Sequence, residues 1–245
     1  MNSFYVGYLP KAPREIAQLV RRGVAVLLSI ALIAAVALVE TQHRFDRSSF
    51  EFTKVRSFQG VIEARPYPSL VVLRPGSVAA DQQSSRYLLV GLGKHGADVS
   101  GFDGAAVELK GKLIYRPEQT MIEVMPGTVL REGVAAPTST AATTGRLVTI
   151  RGEIVDSKCH TGVMNPGSGK VHRDCAVRCL SGGVPPVLVE DDAPNRLFLL
   201  TNANADRLPA RTFLDRVAEP VEVTGYIATR GERLELQVQK ISRLK

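Results

Sequence analysis

Three cysteines and one histidine carry most of the chemistry that this sequence offers, and they lie within one short segment. Their spacing is C-x12-H-x2-C-x3-C, formed by Cys159, His172, Cys175 and Cys179. Thiolates and an imidazole are a common ligand set for structural zinc. If residues 171–180 form a helix, the histidine and the last two cysteines lie on one face, and the first cysteine can complete the set from the preceding strand.

Other chemistry is compatible with the same residues. A disulfide from Cys159 to Cys175 or Cys179 would tie the segment together and leave one free thiol. An iron–sulfur cluster or another redox centre is a third possibility, although no C-x-x-C-H haem motif occurs. We predict a zinc site at Cys159, His172, Cys175 and Cys179, because a closed tetrahedral site would fix a loop too small to bury its own core. His160 is a further ligand, a residue that supports a ligand, or an exposed histidine at a strand end.

An uncharged apolar run at 23–39 follows several basic residues. We predict a transmembrane helix over 23–40, in contact with membrane lipid. The positive-inside rule then places residues 1–22 in the cytoplasm and the rest of the chain outside. The alternative is a signal peptide that is cleaved after Ala37.

The charge of the chain argues against nucleic acid as a partner. The net charge is +7, and the basic N-terminal segment accounts for about half of it. The remaining basic residues alternate with acidic ones, so that no concentrated basic face is expected.

Two halves of the sequence share one pattern of alternating strands. The matching segments are 107–124 with 221–238, 58–62 with 150–154, and 87–90 with 197–200. Each copy gives three strands, a connector and two strands, which is the order of the oligonucleotide-binding (OB) five-stranded barrel. The connector at 205–217 has the apolar spacing of a helix, whereas the one at 91–104 is rich in glycine.

The predicted fold is mainly β, with an N-terminal transmembrane helix followed by two tandem OB-like barrels. We place the first barrel at 41–133, a linker rich in Ala, Thr, Ser and Pro at 134–145, and the second barrel at 146–245. An insertion at 156–185 of the second barrel contains every cysteine and one short helix. The first copy has only a few residues at this point, so we expect the specialised function in the insertion.

The cysteine segment resembles a loosely characterised group of bacterial exported or membrane-anchored small β-barrel proteins. The shared features are Gly-Glu-x-Val-Asp-x-x-Cys at 152–159 and His-x-x-Cys-Ala from His172, followed by a Gly-x-Pro turn. The resemblance covers the second half of the chain, and Cys179 lies one residue later than a C-x2-C spacing would place it. It implies the fold and the site, but no activity. From the predicted span we expect a single-pass protein of the bacterial inner membrane with periplasmic barrels.

No catalytic motif accompanies these features. The segment 91–96, Gly-Leu-Gly-Lys-His-Gly, lacks the spacing of a phosphate-binding loop. We therefore expect a non-catalytic accessory subunit whose metal-stabilised loop docks on other membrane or periplasmic proteins of a complex, such as a respiratory one. The alternative is a periplasmic redox or metal-delivery protein that uses the same four residues.

Overall fold

The structure is a computed structural model that describes residues 12–41, 48–74, 84–134 and 143–244. The described chain is mainly β, with one long N-terminal helix and two closed five-stranded barrels. The predicted fold class is confirmed. Residues 1–11 of the predicted cytoplasmic segment and residues 135–142 of the predicted linker lie outside the described residues.

Helix α1 spans Arg14–Thr41 and includes an 18-residue stretch whose mean hydropathy is 2.5. Its 28 residues extend about 42 Å at 1.5 Å per residue, which exceeds the roughly 30 Å of bilayer hydrocarbon. The helix starts before the apolar run because arginine, glutamate and glutamine are good helix formers. By length and composition α1 can cross a membrane, and a signal sequence fits the same description.

The first barrel is built from strands that are separated by short turns and two longer connections. These strands are β1 (Ser49–Phe50), β2 (Arg56–Glu63), β3 (Ser69–Leu73), β4 (Ser84–Val90), β5 (Ala105–Arg116), β6 (Gln119–Val124) and β7 (Leu130–Val134). The barrel closes in the order β2-β3-β4-β6-β5, with β4 parallel to β6 and the other pairs antiparallel. Strands β1 and β7 add to β5 outside this ring.

The second barrel repeats this arrangement. Its strands are β8 (Thr143–Asp156), β9 (Pro186–Glu190), β10 (Leu197–Thr201), β11 (Pro220–Arg230) and β12 (Arg233–Arg243). It closes in the order β8-β9-β10-β12-β11, and β10 is parallel to β12. Counted along the chain, both barrels therefore close as 1-2-3-5-4, which is the strand order of the OB fold.

The connector between β10 and β11 differs from the predicted helix. It contains two single 3₁₀ turns, Ala210–Thr212 and Leu214–Arg216, and no α-helix. The two turns are separated by Phe213, whose φ of −139° lies outside the helical region. The side chains of Leu208 and Val217 are nevertheless buried in the barrel core. Core contacts, and not an α-helix, explain the apolar spacing in the sequence.

An apolar core joins the two barrels. It includes Leu88, Ile114 and Met121 of the first barrel and Val155, Val187 and Leu199 of the second. At its edge the buried hydroxyl of Tyr67 donates to the Leu200 carbonyl at 3.0 Å and accepts from the Leu208 amide at 3.1 Å. Burial raises the pKa of Tyr67 to about 12, so the phenol stays neutral between the barrels.

Buried charges cross the same interface. Glu63 of β2 pairs with Arg86 of β4 at 3.2 Å and with Arg230 of β11 at 3.1 Å. Glu235, which is fully buried, pairs with Arg230 at 3.0 Å and with Arg233 at 3.1 Å. Burial lowers the pKa of Arg233, although the charges of Glu235 and Glu63 oppose this shift. Pairing of this kind offsets the cost of removing the charges from water.

Lys158 of the second barrel makes the most enclosed contact with the first. Its side chain is 2% exposed, and its Nζ donates to the Glu123 carboxylate at 2.6 Å. The same nitrogen donates to the carbonyl oxygens of Gly91 at 2.8 Å and Gly93 at 2.6 Å. An ammonium group has three hydrogens, and acceptors of the first barrel match that number. The contact therefore compensates a buried charge across the interface.

We expect the substitution Lys158→Met to lower the free energy of unfolding by about 3–5 kcal/mol, because it leaves the Glu123 carboxylate buried without its partner. The measurement is the urea midpoint of the full chain in detergent, followed by circular dichroism.

Arg151→Met is the matched control. Arg151 pairs with Glu222 on the surface, where the two side chains are 66% and 33% exposed, so its loss should cost less than about 1 kcal/mol. Equal midpoints for the two variants would show that the buried ion pair contributes no more than a surface pair.

Candidate metal centre

The insertion joins β8 to β9 and contains the predicted helix. It begins with a π-helical turn at Cys159–Val163, continues through a loop and a 3₁₀ turn at Lys170–His172, and ends with helix α2 at Arg173–Ser181. Gly169, with a φ of 77°, reverses the chain just before the 3₁₀ turn. The left-handed conformation of this residue favours glycine. This reversal brings His172 and α2 back over the end of β8.

The structure brings the four predicted ligands together. Sγ of Cys159 lies 4.0 Å from Sγ of Cys175 and 4.0 Å from Sγ of Cys179. A ring nitrogen of His172 lies within 4.8 Å of the Cys159 and Cys175 sulfurs. The three cysteines are free thiols, and the disulfide considered from the sequence is not formed, since that bond would need sulfurs about 2.05 Å apart.

The sulfur separations fit a tetrahedral metal ion. Zinc–sulfur bonds of about 2.3 Å in a tetrahedron place neighbouring sulfurs about 3.8 Å apart. The observed 4.0 Å between Cys159 and each of the other two sulfurs is within a few tenths of an ångström of this value. The donor set is also correct for zinc, since it consists of thiolates and an imidazole. The side chains therefore fit a bound metal ion.

Asp156, the last residue of β8, orients two of these ligands. Its Oδ1 accepts a hydrogen bond from the Cys159 amide at 2.8 Å, and its Oδ2 lies 2.9 Å from Nε2 of His172. A carboxylate accepts hydrogen bonds, so Nε2 carries the proton and Nδ1 is left to bind a metal. Histidine ligands of metals are commonly held in this way by a carboxylate. Asp156 also lies within 4.8 Å of the Cys159 and Cys179 sulfurs.

The thiols influence one another and a nearby lysine. The hydrogen bond to Cys179, together with burial and the Asp156 charge, raises the pKa of Cys159. The same hydrogen bond lowers the pKa of Cys179, and the Lys94 charge acts in the same direction. The Lys94 ammonium donates to Sγ of Cys175 at 2.7 Å, and this bond raises the pKa of Lys94. The Lys94 charge therefore favours the thiolate form of Cys179, which is the form that binds metals.

The connector at 91–96 of the first barrel is the surface that receives the insertion. The Gly96 amide donates to the Gly182 carbonyl at 2.9 Å. A Cβ on Gly182 would lie 2.0 Å from the Lys94 carbonyl oxygen, and one on Gly96 would lie 2.5 Å from the Gly183 carbonyl oxygen. The glycines at these positions let two backbones approach each other more closely than any side chain permits.

His160 is buried, contrary to one of its sequence-based interpretations. The prediction of an exposed histidine is wrong, because only 7% of the residue is exposed. Within the described residues, His160 belongs to neither group of side chains that could hold a metal. Its carbonyl accepts a hydrogen bond from Nη1 of Arg116 at 2.7 Å. The residue contributes to the interface between the barrels, and the apolar strand that precedes it explains its burial.

Comparisons of the chain with protein-family models, with curated proteins and with solved structures find no match. The resemblance to exported β-barrel proteins stays a prediction. Sequence reasoning missed three functional residues: Asp156, Lys94 and Lys158. The signal for Asp156 was a carboxylate at the end of an apolar strand, three residues before a cysteine.

We expect Asp156→Asn to weaken the binding of a divalent metal by about 10- to 100-fold, because the residues that orient metal ligands contribute this much to affinity. The measurement is competition with a chelator on the full chain, using Co²⁺ as a probe whose thiolate absorption reports site occupancy.

Asp174→Asn is the control, since Asp174 is an exposed carboxylate on α2 next to a cysteine. It should leave the affinity for Co²⁺ within the error of the wild type. Unchanged affinity in Asp156→Asn would show that the carboxylate does not position the ligands.

Proposed function

We propose that this chain is a membrane-anchored, non-catalytic subunit of a membrane-bound complex, and that its Cys/His centre holds a structural zinc ion. The observation that carries the proposal is the cluster around Cys159 in the joint between the two barrels. The sulfurs of Cys175 and Cys179 each lie 4.0 Å from its Sγ, and a ring nitrogen of His172 lies within 4.8 Å of the Cys159 and Cys175 sulfurs. Four protein ligands fill a tetrahedral shell. Catalytic zinc sites keep one position for water or substrate, and this ligand set leaves none.

The ion would supply stability that the insertion lacks. Helix α2 has only nine residues, and few of them are buried apolar side chains. A helix of this length is marginal without tertiary contacts. Zinc would bond α2 to the end of β8 through Cys159 and the two helix cysteines, so that binding energy becomes folding energy. Because the same segment carries Lys158, zinc would also hold the two barrels together.

The proposed location is the bacterial inner membrane, with α1 as an uncleaved single span and the barrels in the periplasm. The length and hydropathy of α1 support a span. Arginines at its N-terminal end support a cytoplasmic N-terminus. A periplasmic zinc site with three thiolates would be protected from oxidation by the metal and by the burial of Cys159 and Cys179.

The surface of the insertion supports a docking role. Met164 and Val171 are 46% and 85% exposed, and they lie at the two ends of a loop whose residues are all exposed or only partly buried. Exposed large apolar side chains on a rigid loop are typical of protein contact sites. We propose that this surface binds another membrane or periplasmic protein of the complex, such as a respiratory one.

The second candidate is metal delivery, or redox chemistry at the same thiols. The observation that favours it is the position of Cys175, which is only partly buried and is covered by the exposed Lys94. A partly exposed ligand at the edge of a site can be replaced by a ligand of another molecule, which allows the metal to be transferred. The rate of metal release to a chelator separates this candidate from a structural centre, which should lose its metal slowly.

We expect the full chain, purified from membranes in mild detergent, to contain one zinc ion per chain by elemental analysis. Removal of zinc by a chelator should take hours, lower the thermal midpoint and make the thiols reactive. Stoichiometric zinc would support the structural centre.

Three results would contradict it: a mapped disulfide from Cys159 without bound metal, a coloured iron-containing protein, or release of the metal within minutes. The last result would favour metal delivery.

We also expect Val171→Glu to reduce the recovery of partner proteins when the full chain is purified from native membranes, because a charge at this position would be buried in the contact. Leu147→Glu is the control, since Leu147 is 53% exposed and lies outside the insertion. Both variants should keep their zinc. Recovery of the same partners with both variants, or purification of the wild type without partners, would contradict a docking role for the insertion.

A further inference from the structure

One end of the first barrel carries a cavity with a largely apolar lining. The starts of β2, β4 and β6 meet the ends of β3 and β5 there, as the directions of the paired strands require. The cavity has a volume of about 750 Å³. Its lining includes Phe58, Val72, Tyr87, Leu113 and Tyr115. We call this end of the barrel, together with the β1–β2 turn beside it, the barrel rim.

The barrel rim presents apolar side chains to its surroundings. Phe52 is 66% exposed, Leu73 62%, Val55 50% and Tyr115 42%. These are four of the ten large apolar side chains that are exposed among the described residues outside α1. Single exposed apolar residues are ordinary on a protein surface, but a group at one place marks a site of contact.

Basic residues accompany these side chains. The Lys112 ammonium lies 4.4 Å from the centre of the Phe52 ring and 6.0 Å from that of Phe50. Lys54 and Arg56 belong to the same turn, in which Arg56 also pairs with Glu51. Aromatic side chains combined with lysine and arginine are typical of the boundary between a membrane and water. This chemistry fits phospholipid headgroups better than a purely apolar partner.

The length of the chain keeps the barrel rim near the membrane if α1 spans it. Helix α1 ends at Thr41 and β1 begins at Ser49, so seven residues connect them. A chain segment of this length reaches at most about 28 Å when fully extended. Strand β1 leads directly into the turn that carries Phe52 and Val55, so that β1 and this turn are the parts of the first barrel closest in sequence to α1.

We propose that the barrel rim rests on the outer surface of the bilayer that α1 spans, with Phe52, Val55 and Leu73 at the level of the headgroups. The proposal rests on the membrane anchor of the proposed function. Lys54 and Lys112 then face lipid phosphates, and apolar side chains leave water without a protein partner.

The absence of tryptophan from the sequence allows a direct test in vesicles of phosphatidylethanolamine and phosphatidylglycerol. Phe52→Trp and Leu73→Trp each place a single fluorophore at the barrel rim of the full chain. Leu92→Trp is the control, because Leu92 is 50% exposed and follows β4 at the opposite end of the same barrel. Strand β4 separates the two ends by about 20 Å. The readout is quenching by lipids with brominated acyl chains, together with the emission maximum.

We expect brominated lipid to quench the two rim tryptophans several-fold more strongly than Trp at position 92, with emission shifted to the blue. Vesicle flotation of the same samples reports whether the anchor holds. Floating protein with equal, weak quenching at all three positions overturns the lipid contact and leaves the anchor intact. Blue-shifted emission from the rim tryptophans without quenching by brominated lipid also overturns the lipid contact, because protein and not lipid then covers the barrel rim. Protein that does not float with the vesicles would contradict both the membrane anchor and the lipid contact.

Discussion

The ammonium group of Lys158 is the contact on which the joint between the two barrels depends. A charged group removed from water costs several kcal/mol unless acceptors replace its hydration. Here Glu123 and the carbonyl oxygens of Gly91 and Gly93 supply that replacement from the other barrel. Because Lys158 immediately precedes Cys159, the residues that satisfy the lysine also set the position of the first thiol. The contact between the barrels and the position of the Cys159 thiol are therefore structurally linked.

The two copies of the OB-like fold differ at complementary places. The second copy has the long insertion between its first two strands, and the first copy has a glycine-rich connector after its third strand. These two segments contact each other through Gly96 and Gly182, at distances that exclude a Cβ. The Gly-Leu-Gly-Lys-His-Gly segment at 91–96 consequently serves protein packing. The glycines of this segment let its backbone approach another backbone closely, and glycines in a phosphate-binding loop let the backbone approach a phosphate in the same way.

The electrostatics of the candidate centre are consistent with its ligands. Three thiolates and a neutral imidazole around a divalent ion have one net negative charge, and Lys94 places a positive charge beside Cys175. On the inner side, Asp156 uses both carboxylate oxygens to hold Cys159 and His172. The site thus has a carboxylate on its buried side, where it orients ligands, and an ammonium on its exposed side, where it balances charge.

The sequence by itself determined the barrels and indicated that the cysteines cluster with His172. Period-two alternation and the repeat of 107–124 at 221–238 are local patterns, and they were sufficient to predict two five-stranded barrels. The spacing of the cysteines around His172 likewise predicted a compact cluster. Tertiary structure alone decided that the start of the insertion is buried between the barrels, with Lys158 and Asp156 as its polar contacts. It also replaced the predicted helix at 205–217 with 3₁₀ turns. Burial of a charge depends on partners that are distant in the sequence, so the sequence alone did not indicate it. A spacing of apolar residues that face the core occurs in several backbone conformations, so it did not specify an α-helix.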